Sequence, residues 1–185
     1  MNADSHGLPK LGNFPGLPES ALGESQKTLI EEFRSRRGLI PGPYRIWLSS
    51  PDFAERQKAL SDYVIRGGLL SPRECEIAVL VLAQRRGVPY IEVAHRKIAA
   101  AAGVSEAIID AICRGRIPQF ADEREEVVYL TALAMVDGAT PGPDVVDRAA
   151  LVLGHDGVSE ISGLLGFYCA CAFILTYYGA EPPGA

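Results

Sequence analysis

The stretch "SPRECEIAVLVLAQRRGVPYIEVAHRKIAAAAG", residues 71–103, decides the fold of this chain. Ser71 offers a hydroxyl cap, Pro72 takes the first helical position where a missing N–H costs nothing, and Glu74 closes a capping box. Gly87 stops this helix behind Arg85 and Arg86, cations suited to the negative helix end. A second helix starts on Pro89 and stops at Gly103. About two residues around Val88 and Pro89 connect them, so the two helices fold back antiparallel. The first is apolar nearly all round, as a helix buried on every side must be.

The same punctuation recurs on both sides of this pair. Ser50 and Pro51 open a helix that ends at Gly67–Gly68, "VSEAIIDAICRG" ends at Gly115, and Asp122 with Glu125 forms a D-x-x-E box before "VVYLTALAMVDG". "GPDVVDRAALVLG", residues 142–154, and the apolar segment 161–180 follow, with "HDGVSE" between them read as a loop. Strand patterns are nearly absent and no fixed repeat occurs. The spacing predicts an all-α bundle of six to eight helices joined by loops of about two to six residues. Residues 1–41 read as an N-terminal arm with a first helix. Of these, residues 1 to about 24 have loop composition, a flexible arm or a strap over a partner subunit. Residues 42–185 read as one all-α domain.

A chain of 185 residues, 48% of them hydrophobic, is long and apolar enough for one folded domain with a core. Its net charge of −5 argues against a nucleic-acid surface and leaves a small molecule or other protein as partner. The N-terminus lacks the basic, apolar and small-residue order of a secretory signal, and the expected location is the cytoplasm. Cys75, Cys113, Cys169 and Cys171 form no C-x-x-C pair and no zinc spacing, so they read as reduced, mostly buried thiols. Cys169 and Cys171, about 200° apart on a helix, read as core thiols. Residues 161–180 run twenty positions without a charge, about the length of a membrane span. Three tyrosines, three glycines, Ser162 and Thr176 dilute that run and no Lys/Arg cluster flanks it. A helix buried by its own domain and by neighbouring subunits is the preferred reading, with no membrane.

The residues that carry chemistry are few. Glu76 lies in the all-apolar helix, where a carboxylate needs a partner, Arg73 or another cation, or else is held near neutrality. His95 shares a helix face with Ile91, Ile98, Ala99 and Ala102. Counted from the turn, Glu76 lies about eleven residues back and His95 about eight forward. At ~1.5 Å per residue their heights differ by a few ångströms, and the two can meet. Tyr90 stands in the first turn of the His95 helix, about 140° around the axis, within reach of the same cleft. Glu92 is placed to pair with Arg96, four residues on. His155 and Asp156 are a weak metal signal, and helix capping by Asp156 or Ser159 accounts for them better. No phosphate-cradling loop, nucleophile elbow, metal motif or cofactor motif is present in the sequence, which leaves acid–base chemistry at His95, Glu76 and Tyr90.

The spacing of Glu76, "VPY" at 88–90 and His95 resembles the carboxymuconolactone decarboxylase family, which includes the alkyl hydroperoxide reductase D (AhpD) type peroxidases. "GPYRIWLSSPDFAERQKALSDYVIRGGLLSPRE" upstream and "GFYCACAFILTYYGAEPP" downstream extend the likeness over about residues 42–183. The resemblance implies an AhpD-like all-α fold, assembly as homo-trimers or homo-hexamers, and an active cleft on the helix pair bearing Glu76 and His95. In the peroxidase branch, C-x-Y-C-x-x-x-H supplies two redox cysteines beside a Glu, Tyr and His relay. Here Glu76, Tyr90 and His95 match that relay, while Val88 and Ile91 stand at the cysteine positions, so thiol peroxidase chemistry lacks its nucleophile. The decarboxylase branch often places a glutamate four residues before the histidine, where this chain has Ile91, with Glu92 one step later. The resemblance thus implies a cofactor-free acid/base lyase or isomerase for a small lactone or keto-type carboxylate. A non-catalytic oligomeric binding module of the same fold is the alternative.

Overall fold

The computed structural model describes residues 7–184, the side chain of Arg37 excepted. Within them lie eight α-helices and no strand beyond isolated bridges. They are α1 Glu24–Arg37, α2 Gly42–Trp47, α3 Pro51–Asp62, α4 Pro72–Arg86, α5 Pro89–Ala101, α6 Glu106–Cys113, α7 Glu123–Asp137 and α8 Pro143–Tyr177. The chain divides into two compact units, residues 7–59 with 173–181, and residues 60–172 with 182–184.

In the first unit, the loop-composed stretch has a defined path from residue 7. Leu8 and Leu17 exchange backbone hydrogen bonds of 2.8 and 2.9 Å, and the Asn13 N–H donates to the Tyr178 carbonyl at 2.7 Å. Phe14 sets its ring edge-on to that of Tyr178, so this stretch lies on the chain's own C-terminal segment. Phe33, Tyr44, Trp47 and Phe53 form a chain of ring contacts, and the Gln26 amide donates to the Leu48 carbonyl at 2.6 Å.

The second unit is organised around α4, which packs against α5, α6 and α7. Every residue from Glu74 to Ala83 is buried, six of them completely, as expected of a helix with no polar face. Both halves of the capping box form: the Ser71 hydroxyl accepts from the Glu74 N–H and the Glu74 carboxylate from the Ser71 N–H. At the other end Gly87 turns left-handed at φ 61°. The Val88 and Gly87 N–H groups bond the Ala83 and Gln84 carbonyls, the paired bonds of a Schellman stop. Pro89 then opens α5 at once, which makes the pair antiparallel.

Two expected boundaries are corrected. The helix expected to run to Gly67–Gly68 changes to a π-helical turn over Tyr63–Gly67. The buried Glu160 carboxylate binds this turn, accepting from the Tyr63 hydroxyl at 2.8 Å and the Leu69 N–H at 2.5 Å. A Cβ at Gly68 would collide with it. The loop expected at 155–160 is helix: α8 breaks only at Gly154, whose φ of 74° and ψ of 164° a side chain would not tolerate. The helix restarts immediately; the Asp156 carboxylate takes the adjacent Gly157 N–H, and Ser159 bonds the His155 carbonyl instead of capping.

Crossed ion pairs fasten α4 to α7. Arg73 binds Glu125 at 2.5 Å and Arg124 binds Glu74 at 2.6 Å. Asp122 caps α7 through the Arg124 and Glu125 N–H groups, but the Glu125 carboxylate is drawn to Arg73, so the expected reciprocal half of that box is not made.

By length and composition α8 could cross a membrane, and 44% of its apolar window is buried. Ile161, Leu164, Leu165, Tyr168, Cys171, Ala172 and Leu175 form its buried stripe at helical spacing, while Phe173 and Tyr177 are exposed.

Arg124→Ala removes the partner of a carboxylate only 6% exposed, together with bonds to the Val152 and Leu69 carbonyls. The expected loss is about 2–3 kcal/mol in urea unfolding. Lys27→Ala, at a pair whose Glu24 is 91% exposed, changes stability by less than about 0.5 kcal/mol.

Candidate active site: a buried carboxylate and imidazole

Helix α4 brings Glu76 and helix α5 brings His95 to the same level of the antiparallel pair. The Glu76 Oε2 lies 2.7 Å from His95 Nδ1, with side chains 7% and 11% exposed. Both groups are buried in apolar surroundings, and each supplies the hydrogen bond that the other needs there. With Glu76 ionised the carboxylate accepts, which puts the proton of this bond on Nδ1 and leaves Nε2 as the second ring nitrogen. Among the described residues none hydrogen-bonds Nε2. Ile91 and Ala99 are buried on the same face as His95, whereas Ile98, expected there, is 48% exposed at its margin.

The other sequence expectations sort themselves by contact. Arg73 pairs with Glu125, not with Glu76. Arg96 pairs with Asp110 at 2.5 Å, not with Glu92, because α6 places a carboxylate across the turn where the guanidinium reaches it. The Arg96 guanidinium holds the Asp110 carboxyl below its usual range. Tyr90 is half-buried in the first turn of α5, five residues before His95. His155 is exposed, and among the described residues no cluster of His, Cys, Asp and Glu is arranged to hold a metal.

Sequence reasoning missed the ring beside His95. Tyr168 of α8 stands edge-on to the imidazole, with ring centroids 4.9 Å apart and planes at 89°. Its place in the stripe with Ile161, Leu164 and Leu165 marked it as buried, but nothing in the local pattern linked it to a residue 73 positions earlier. Glu160 was missed too, hidden in a segment read as loop. Two cavities of about 200 and 190 Å³ run along α7 and the start of α8, sharing Thr131 and Val145. Neither is lined by Glu76, His95 or Tyr90.

Three of the thiols, Cys75, Cys113 and Cys171, are poorly suited to attack. Burial, reinforced by the charges of Glu76, Glu74 and Glu160, pushes the Cys75 thiol from its ordinary 9.0 up to about 12. Burial likewise raises Cys171 and Cys113.

The all-helical architecture that carries this pair is shared with solved structures. The chain is similar in fold to the AhpD-core, uncharacterised peroxidase-related protein of Ralstonia eutropha JMP134 (TM-score 0.80, 17% identity, covering 95% of this chain and 94% of that one). A peroxidase-related protein of Silicibacter sp. TM1040 gives a TM-score of 0.74 at 15% identity, covering 89% and 87%. The debrominase Bmp8, in a variant complexed with 2,3,4-tribromopyrrole, gives 0.72 at 14% identity, covering 87% of each chain. This is the AhpD-like helical fold. Residues 51–135, which include Glu76, Tyr90 and His95, match the model of the carboxymuconolactone decarboxylase family. No curated protein matches the sequence.

A thiol whose folded value lies above its unfolded one keeps its proton in the fold, so its stabilising effect is complete below about pH 9. That effect drains away as pH rises toward about 12. Thermal unfolding followed from pH 8 to 11 is expected to show this decline, and Cys75→Ala to make it shallower, Cys113 and Cys171 still contributing; an unchanged slope would contradict the assignment.

Proposed function

We propose that this protein is a cofactor-independent acid/base lyase or isomerase acting on a small lactone or β-keto-type carboxylate. His95 moves the proton, Glu76 orients it, and Tyr90 donates a hydrogen bond to the developing enolate oxygen. The observation that carries this reading is the 2.7 Å bond between Glu76 and His95 in a buried site, with no hydrogen bond to Nε2 among the described residues. A general acid or base needs one defined tautomer and a free nitrogen, and this pair provides both. The match of residues 51–135 to the carboxymuconolactone decarboxylase family supports the substrate class.

In decarboxylation the bond between the carboxylate carbon and its neighbour breaks, and its electron pair moves into the adjacent carbonyl to form an enolate. Carbon dioxide leaves, and the enolate carbon then takes the proton from the imidazolium Nε2. In isomerisation neutral His95 removes the carbon-bound proton and returns it to a different carbon. Both routes pass through an oxyanion, which a donor such as the Tyr90 hydroxyl stabilises.

The peroxidase-related neighbours raise thiol chemistry as a rival. Val88 and Ile91 occupy the two positions where the resemblance puts redox cysteines, and Cys75 beside Glu76 holds its proton to about 12, so no thiolate is at hand. One observation favours a non-catalytic binding module instead: Ile91, 3% exposed, fills the place of the decarboxylase glutamate with an apolar side chain.

The test is proton exchange from candidate lactones and keto acids, followed by NMR in D₂O. His95→Ala is expected to slow exchange by about 10²-fold or more, and Glu76→Gln by about 10-fold or more, with the helical circular dichroism unchanged. Exchange unaffected by His95→Ala would remove His95 from the reaction, and binding with no exchange at all would leave the module reading.

A further inference from the structure

We propose that Tyr168 is a positioning residue for His95, whose ring fixes the plane of the imidazole so that Nε2 points at the substrate. The inference rests on the acid/base reading of His95. Glu76 holds the imidazole at one atom, Nδ1, and a single hydrogen bond by itself does not set the plane of the ring. The Tyr168 ring, perpendicular at 89° with its centroid 4.9 Å away, restricts that plane. A contact of this kind is expected to bias ring populations by about two- to tenfold. Among the described residues Glu76 supplies the hydrogen bond and Tyr168 the ring contact of the imidazole, inside the apolar packing that buries it.

Tyr168 is itself well held. It is 7% exposed, and the Phe167 ring stands against it at 5.1 Å and 83°. Two helical turns earlier on α8, Glu160 is tied to the Tyr63 hydroxyl and the Leu69 N–H, which pins the helix on which the ring is mounted. The last helix thereby contributes to a site whose matched family segment ends at residue 135.

The experiment compares Tyr168→Phe, which keeps the ring, with Tyr168→Leu, which removes it; Tyr168→Met replaces the latter if it does not fold. The first readout is the NMR shift of the His95 ring protons, which an adjacent aromatic ring displaces and which reports the ring contact itself; the split between kcat and KM reports the positioning. The wild type and the Phe variant are expected to share the displaced shift, and the Leu variant to lose it. With a substrate found by the D₂O screen, the Leu variant is expected to lose about tenfold in kcat with KM within twofold, and the Phe variant to retain kcat within twofold.

An unmoved His95 shift in the Leu variant would overturn the proposal. So would a Phe variant that falls as far as Leu in kcat while keeping the displaced shift, since the hydroxyl would then be acting directly. If the ring shifts behave as expected but the wild-type protein exchanges no proton with any carbon acid, the positioning contact stands and the acid/base reading fails.

Discussion

A carboxylate and an imidazole sharing a proton inside apolar helices is the constraint around which the rest of this structure is arranged. Neither Glu76 nor His95 tolerates burial alone, since an unpaired polar group away from water costs several times what a normal hydrogen bond contributes. The antiparallel turn at Gly87 and Val88 settles the matter by bringing the two groups to one level. The register of α4 against α5 is therefore tied to a polar bond as well as to packing, because sliding one helix by a turn of about 5.4 Å would strand both groups.

Charged groups elsewhere fix the neighbours of this pair without entering it. Arg73 and Arg124 reach from the first turns of α4 and α7 to carboxylates of the opposite helix, and Arg96 reaches Asp110 on α6. These cations are thereby committed to other carboxylates and leave the imidazole as the partner of Glu76. The thiols follow the same division: Cys75 lies beside three carboxylates and inside the core, conditions that keep it protonated. In a fold shared with peroxidase-related proteins, this chain pairs a carboxylate with an imidazole and carries valine and isoleucine, not cysteine, at positions 88 and 91.

Much of the fold was legible because its determinants are local. Caps, Pro at first helical positions and left-handed glycines act within a few residues, so Ser71, Pro72 and Gly87 announced their helix, and the evenly apolar α4 announced its central place. The level of Glu76 with His95 was legible for the same reason, since a two-residue turn leaves little freedom between consecutive helices. Apart from the break at Gly154, where an expectation failed, a side chain from another element intervened. Glu160 captures the turn at Tyr63–Gly67, Arg73 draws Glu125 out of its capping box, and Asp110 takes the arginine that Glu92 was expected to hold.

The sequence by itself determined an all-helical chain, the antiparallel α4–α5 pair and the meeting of its acid with its imidazole, because each follows from rise per residue and short-range capping. Only the tertiary structure decided what stands around that pair. The Tyr168 ring against His95, the Glu160 clasp and the crossed arginines all join residues fifty or more positions apart. Helical periodicity places a side chain on a face of its own helix, but the partner that covers that face depends on how separate helices pack.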